Sequence, residues 1–371
     1  MEGRRLMKQL ALLAMLLPAL GLPGCGDDDG TRPPAGTWVT AIVDTADVAG
    51  QYTSLALDAL GEPHIGYYVL ASTNGRPRCA ARSGGAWTLE VAYSPGPTGY
   101  YGLYAALALD GQGNPRLSFW DQNNGDLMYA ARSGGTWAPE RVDDTASFIG
   151  TFTSLALDAL GNPCISYCDE THADLKVAAK SGGTWTLQSV DGPGDVGMYT
   201  SLALDAQGNP RISYYDAGNA DLKYAAKSGG TWTTEAVDFT GNVGTWTSLA
   251  LDAQGNPRIS YADDTNGDLK YAAKSGGSWT IETVDAAGSV GSYTSLALDA
   301  QGNPRISYWD LSNDDLKYAA KSGGSWTIET VDAAGSVGTW TSLALDAQGR
   351  PRISYFDETN GHLKFAEWSP D

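Results

Sequence analysis

"TSLALDAQGNPRISYYDAGNADLKYAAKSGGTWTTEAVD", Thr200 to Asp238, decides the fold. It parses into four short strands separated by turn signals. In "TSLALDA", Leu202 and Leu204 alternate with polar or small neighbours, and "QGNP" ends the run. "RISYYD" follows with Ile212 and Tyr214 in phase, then the turn "DAGNAD". "LKYAAKS" places Leu222, Tyr224 and Ala226 on one side. "GG" makes a tight hairpin, and "TWTTEAVD" is the fourth strand. No segment sustains a helical period.

The phrase that opens this unit recurs along the chain. "SLALD" or "ALALD" begins at Ser54, Ala106, Ser154, Ser201, Ser248, Ser295 and Ser342, at intervals of 52, 48 and then 47 four times. The strand that closes the unit carries Trp38, Trp87, Trp137, Trp185, Trp232, Trp279 and Trp326. Each half therefore occurs seven times, but out of phase. The chain enters on a last quarter, "TWVTAIVD" (Thr37 to Asp44), and leaves on "PRISYFDETNGHLKFAEWSPD". Four antiparallel strands per 40 to 50 residues is the signature of a β-propeller blade. Seven units of 47 residues, with insertions of six in total, account for all 335 residues from 37 to 371. An open solenoid would need capping units, and the terminal copies are not caps. The expectation is an all-β, seven-bladed propeller over residues 37–371. Its last blade is closed by the N-terminal strand, with Thr37 to Asp44 pairing against Leu363 to Glu367.

Residues 1–24 read as a signal peptide: a basic start, "MEGRRLMKQ", then the apolar run "LALLAMLLPALGL", too short for a membrane span. "LPGC", Leu22 to Cys25, resembles the bacterial lipobox. The resemblance implies that Cys25 is lipidated and becomes the first residue of the mature chain. Each buried acyl methylene adds roughly 0.8 kcal/mol of membrane affinity. Residues 25–36, rich in Gly, Pro and Asp, then form a flexible tether. The localisation expected is the bacterial cell envelope, lipid-anchored, on the outer membrane or cell surface.

Without residues 1–24 the chain has 21 basic and 42 acidic side chains, a formal charge of −21. Such a balance disfavours nucleic acid, whose phosphates need the opposite sign. Glycine at 46 residues and Trp plus Tyr at 31, with no second long apolar run, suit a secreted all-β protein. Three cysteines remain beyond Cys25, and an odd number argues against a disulfide framework. Cys164 and Cys168 lie four apart on one predicted strand, roughly 13 Å, too far to bridge. With Cys79 they read as small apolar fillers.

"KSGGTW" (Lys180 to Trp185 and elsewhere) resembles a shortened Asp-box, the Ser…Gly…Trp hairpin of the sialidase-like (BNR repeat) propellers. The rhythm "hISYYD…LKYA…GGTW" is also similar to that of seven-bladed propeller lectins. The resemblance covers residues 37–371. The Asp-box aspartate is absent from every copy, and in the family that box is a structural hairpin rather than a catalytic element.

Chain direction sorts the repeated residues onto two faces. The loop between blades and the turn between strands two and three share one, the loop face. On it an aromatic residue precedes the innermost strand in every copy: Tyr52, Tyr104, Phe152, Tyr199, Trp246, Tyr293 and Trp340. Such a set could stack on sugar C–H faces or wedge between blades. A second position, at the end of strand two, varies: Tyr68, Trp120, Cys168, Tyr215, Ala262, Trp309 and Phe356. Turns such as Asp216–Asp221 and Asp263–Asp268 bring carboxylates close, either as Asx-turns or as weak Ca²⁺ ligands. His172, in "CDETHAD", occupies a slot that is Asn in most copies, so a turn substitution is favoured over a metal site; His64 and His362 fall elsewhere in the unit. Blade one departs most from the pattern. It brings Arg76 and Arg78 into the turn, and Tyr93, Tyr100 and Tyr101 into the following loop. A loop that breaks a repetitive scaffold is where specificity is placed.

A sialidase-like enzyme would need an arginine cluster, and the recurring Arg116, Arg211, Arg258, Arg305 and Arg352 all open strand two on the opposite face. No carboxylate pair of defined separation stands out. The expectation is therefore a monomeric, non-enzymatic binding module for carbohydrate or another surface ligand, without a cofactor. The ligand-binding set is the seven axial aromatics with Arg76, Arg78, Tyr100 and Tyr101. A protein–protein scaffold and a divergent sialidase-like hydrolase are the alternatives.

Overall fold

Alternating apolar residues bounded by Gly- and Asn-rich turns form 28 strands, and these pair into seven four-stranded antiparallel blades. The computed structural model describes residues 36–370. Residues 1–35, which hold the expected signal peptide, Cys25 and most of the expected tether, lie outside the described residues. Blade four is typical, with strands Val196–Leu204, Pro210–Asp216, Asp221–Ser228 and Thr231–Asp238. Strand one is innermost, and its register places Leu202 opposite Ile212. Strand two then places Tyr214 opposite Lys223. The chain is a seven-bladed β-propeller. In the last blade Gly36–Asp44 is the outer strand, pairing antiparallel with His362–Pro370 from Gly36↔Pro370 to Asp44↔Leu363. The expected N-terminal closure is thus observed. Blades one and two are additionally joined by a short parallel pairing, Asn74↔Gly99 and Gly75↔Tyr100, made by the inserted loop.

The core lies between blades rather than inside one. Leu175 and Val177 of blade three, for example, pack on Leu202, Ile212 and Tyr214 of blade four, with Trp232 at the outer edge. The junction that closes the ring has the same composition: Leu363 and Phe365 of blade seven meet Leu55, Ile65 and Tyr67 of blade one. A glycine just before the axial aromatic in each copy makes this approach possible. At Gly150 and Gly338 a Cβ would lie 2.7 Å from the Cα of Leu127 and of Leu316 in the preceding blade, and both glycines have φ above +100°.

Polar groups repeat around the ring as regularly as the apolar ones. The strand-one serine accepts the amide of the next blade's Leu, as in Leu202 N to Ser154 Oγ at 3.0 Å, and Leu55 N to Ser342 Oγ closes the circle at 2.9 Å. Behind these bonds lies a buried triad that the single-unit reading of the sequence did not anticipate. The Asp ending strand four accepts the Tyr hydroxyl of the next blade's strand two and the Lys ammonium of its strand three. Asp143 takes Tyr167 Oη at 2.7 Å and Lys176 Nζ at 2.8 Å. Asp238, Asp285 and Asp332 take Tyr261, Tyr308 and Tyr355 in the same way. At the closing junction Asp44 takes Tyr67 at 2.7 Å and Arg78 at 2.9 Å. Between blades one and two all three positions change together, to Tyr93, Phe119 and Met128. Tyr93 packs on Phe119 there with ring centroids 5.5 Å apart. One buried polar triad has been exchanged for an apolar one, as expected if an unpaired member is costly.

At the rim, Trp137 Nε1 bonds Glu90 at 3.1 Å and Trp326 Nε1 bonds Glu282 at 3.1 Å, each across a blade boundary. Lys180, Lys274 and Lys321 reach the same kind of acceptor, Glu140, Glu235 and Glu282. These lysines also lie over tryptophan or tyrosine rings. Cys79, Cys164 and Cys168 are buried free thiols, consistent with their reading as fillers.

Candidate functional site

Strand one begins at the loop face and carries a bulge before it enters the regular ladder. In blade four Met198 pairs with Tyr215, the next pair is Ser201 with Ser213, and Tyr199 falls in the gap. All seven axial aromatics occupy this bulge, and all have left-handed backbones, with φ between 53° (Phe152, Tyr199) and 56° (Tyr104). That conformation costs a non-glycine residue roughly 1–2 kcal/mol. Glycine would adopt it freely, so the side chains account for the residue type.

Those side chains meet at the axis. Neighbouring ring centroids are 4.8 Å apart for Tyr52–Tyr104, 4.6 Å for Tyr104–Phe152 and 4.8 Å for Phe152–Tyr199. The circuit continues at 4.4 Å for Tyr199–Trp246, 3.8 Å for Trp246–Tyr293, 4.5 Å for Tyr293–Trp340 and 3.9 Å for Trp340–Tyr52. The seven form a closed, half-buried aromatic ring. They neither wedge between blades nor stand as seven separate platforms, because each ring leans on its neighbours. With the residues that follow them, six threonines and Ala105, they line a shallow axial cavity of about 170 Å³. At about 30 Å³ per water, that holds some five waters, well below the roughly 300–1,000 Å³ of pockets that enclose a ligand. A sugar-sized ligand must therefore lie above the ring, among the loops, rather than within the channel.

The second aromatic position backs this ring. Tyr68, Trp120 and Tyr215 lie 6.3 Å from Tyr52, Tyr104 and Tyr199, and Trp309 lies 5.9 Å from Tyr293. Cys168 and Ala262 leave that place small, and Phe356 is buried.

The blade-one residues are placed differently from the binding loop expected. Arg78 occupies the strand-three slot that holds Lys in blades three to seven, and its guanidinium pairs with Asp44 at the closing junction. Arg76 is 7% exposed. Its Nε bonds Ser94 Oγ at 3.0 Å, and its terminal nitrogens bond the carbonyls of Gly75, Gly96 and Gly99. It also lies 4.9 Å over the ring of Tyr101, itself buried. Arg76 thus organises the inserted loop from inside, and of these four residues Tyr100, at 38% exposure, is the most open to solvent.

The acidic turns are Asx-turns. Asp216 accepts the backbone and side-chain amides of Asn219, and Asp263 those of Asn266. His172 fills the Asn slot and places Nδ1 2.9 Å from Asp169 Oδ2. Among the described residues no group of three His, Cys, Asp or Glu side chains is placed to hold a metal. On the opposite face Arg116, Arg211, Arg258, Arg305 and Arg352 each pair with the Asp of their own turn, at 2.6 to 3.1 Å. The repeated arginines are structural clips and do not converge.

No protein-family model and no curated protein matches the chain. Solved structures match in fold. A polysaccharide lyase, an ulvan lyase bound to -[GlcA(1-4)Rha3S]-, is similar with a TM-score of 0.61 at 14% identity, over 90% of this chain and 95% of that one. YCF48 from Cyanidioschyzon merolae has a TM-score of 0.58 at 11% identity, over 89% and 98%. The SapL1 lectin in complex with alpha methyl fucoside has 0.53 at 15% identity, over 78% and 97%.

Proposed function

We propose that this chain is a monomeric carbohydrate-binding propeller. It holds its ligand on the loop face, above the axial ring, and is tethered to the bacterial cell envelope through a lipid on Cys25. One observation carries the reading: seven bulky aromatics are held in a backbone conformation that favours glycine, and all seven converge at the same end of the axis. Aromatic surface ringed by polar loops suits the mixed C–H and hydroxyl surface of a sugar. The ligands named for the lyase and the lectin of similar fold, an uronate–rhamnose sulfate unit and a fucoside, add support at the level of fold alone. Hydrolysis is disfavoured because Arg76, Arg78 and the five repeated arginines all have partners inside the protein, leaving no cluster for a substrate carboxylate.

Residues 26–371 on a glycan array test the proposal. Binding to a set of related glycans, unchanged by a metal chelator, is expected. An array without a single bound glycan, together with recovery of a protein partner by pull-down, would replace this reading with that of an interaction scaffold.

A further inference from the structure

The loop face has a period of two blades, and the repeat of one blade hides it. At the bulge, blades three, five and seven carry Thr151, Thr245 and Thr339, while blades two, four and six carry Leu103, Met198 and Ser292. Just after strand two, the former blades carry Glu170, Asp264 and Glu358, and the latter Gln122, Ala217 and Leu311. The three carboxylates are spaced 94 residues apart, two blades each time. The backbone presents them identically. The amides of Glu170, Asp264 and Glu358 bond the carbonyls of Phe148, Asn242 and Ser336 in the preceding loop, at 3.0, 2.9 and 2.9 Å.

The turn that begins at Glu170 bonds Phe148, whose ring lies 6.3 Å from Trp120, itself 6.3 Å from Tyr104 of the blade before. Burial is the main cause of the raised phenol pKa values of Tyr104, Tyr199 and Tyr293, and the charges of Glu170, Asp264 and Glu358 respectively add to it. Behind these tyrosines stand Trp120, Tyr215 and Trp309.

Two further features point to a ligand rather than to a structural turn. First, two of the three sites hold buried donors with no protein acceptor. Thr245 Oγ1 donates to Asp264 Oδ2 at 3.0 Å, but its equivalent in blade seven, Thr339, is 0% exposed and its hydroxyl has no partner. Trp120, 7% exposed, lies 6.3 Å from Phe148 beside the Glu170 turn, and its Nε1 is likewise unpaired, whereas Tyr215 in that position bonds Asn242. Buried donors of this kind are rare in native proteins. Second, none of the three carboxylates has a cationic partner among the described residues, although every described lysine is engaged elsewhere. Lys176, Lys223, Lys270, Lys317 and Lys364 serve the junction triads. Lys180, Lys274 and Lys321 hold rim glutamates, and Lys227 holds Gln188. An anionic sugar would therefore meet three unneutralised carboxylates, while a cationic group flanked by C–H surface would meet carboxylate and aromatic face together.

We propose that the junctions of blades two–three, four–five and six–seven form three equivalent subsites for amino-bearing sugars, with Glu170, Asp264 and Glu358 receiving the protonated amine and the adjoining rings the sugar C–H faces. This rests on the carbohydrate reading above and names its ligand class and multiplicity.

The test is calorimetric titration of residues 26–371 with a fully deacetylated glucosamine trisaccharide, its N-acetylated counterpart and trigalacturonate. Three deacetylated trisaccharides are expected per chain, with the acetylated form at least about tenfold weaker, as loss of a charged hydrogen bond predicts, and no uronate binding. Glu170→Gln, Asp264→Asn and Glu358→Gln should each reduce the number bound from three to two, and the triple variant should bind none. All three side chains are exposed, so these swaps leave the fold intact, as a melt would verify. Equal or tighter binding of the acetylated or uronate form, or undiminished binding by the triple variant, overturns this inference and leaves the carbohydrate reading standing. Failure of every glycan on a broad array overturns both.

Discussion

Deleting residues 37–44 is expected to lower the melting temperature of the whole ring by about 10 °C or more, or to prevent folding. An outer strand of an open sheet could be trimmed with local fraying only. Here the same eight residues complete blade seven and also supply a group to blade one. Trp38 packs edge-on against Tyr318 and Trp368, each at 5.3 Å, and its Nε1 bonds Glu329 in blade six at 3.1 Å. Asp44 accepts Tyr67 and Arg78 of blade one. Losing a packed Trp and leaving the buried Tyr67 hydroxyl and the partly buried Arg78 guanidinium without their acceptor costs about 6–10 kcal/mol together. An unfolding entropy of roughly 0.7 kcal/mol/K for a ring of this size converts that cost to about 9–14 °C, and the shift belongs to a single transition. A truncated protein that melts with the intact one, or shows a small separate transition for one blade, would contradict closure by this strand.

The junction triad yields the second large effect. Asp143→Ala leaves Tyr167 and Lys176 without their acceptor, although Lys176 retains Asp169 at 3.5 Å. The cost is about 3 kcal/mol, toward the lower end for a broken buried pair. The chain itself contains the remedy. Asp143→Tyr, Tyr167→Phe and Lys176→Met together reproduce the Tyr93, Phe119 and Met128 junction, and should recover most of the loss. Acid provides an independent readout. Burial alone would raise the Asp143 carboxyl, but bonds from Lys176, Thr145 and Tyr167 outweigh it and hold the pKa below its ordinary 3.8. A depressed carboxylate contributes stability that is complete above the unfolded value and fades as pH falls through the folded one. The wild type should therefore melt alike from pH 7 to about 5 and lose stability below about 4, and the triple variant should lose less over that acid range. A triple variant weaker than Asp143→Ala alone would show that the triad is not exchangeable.

How much of this was legible in the sequence follows from the range of each interaction. Strand order, blade number and the closing strand depend on local alternation and on counting, so "TWVTAIVD" could be assigned to blade seven from its own eight letters. The triad joins residues 23 to 34 apart across a blade boundary, and only a comparison between copies exposes it: Asp, Tyr and Lys vanish together at Tyr93, Phe119 and Met128. The same comparison assigns Arg78, which aligns with Lys223 and serves as that lysine does. The axial ring was visible as seven aromatics, but their left-handed backbones were not, because nothing in a Tyr or Trp announces positive φ. Their mutual contact depends on ring closure, which no single unit contains. The two-blade alternation of Thr and carboxylate was present in the letters, masked by the near-identity of the surrounding strands.

Hydrogen exchange on residues 26–371, with and without a saturating glycan taken from the array, measures most directly whether the ligand sits on the loop face. The account predicts protection confined to segments 148–153, 242–247 and 336–341 and to the turns that begin at Glu170, Asp264 and Glu358. Protection of the opposite face instead, at the turns 205–210 and 252–257 and the hairpins around Gly229 and Gly276, would contradict it.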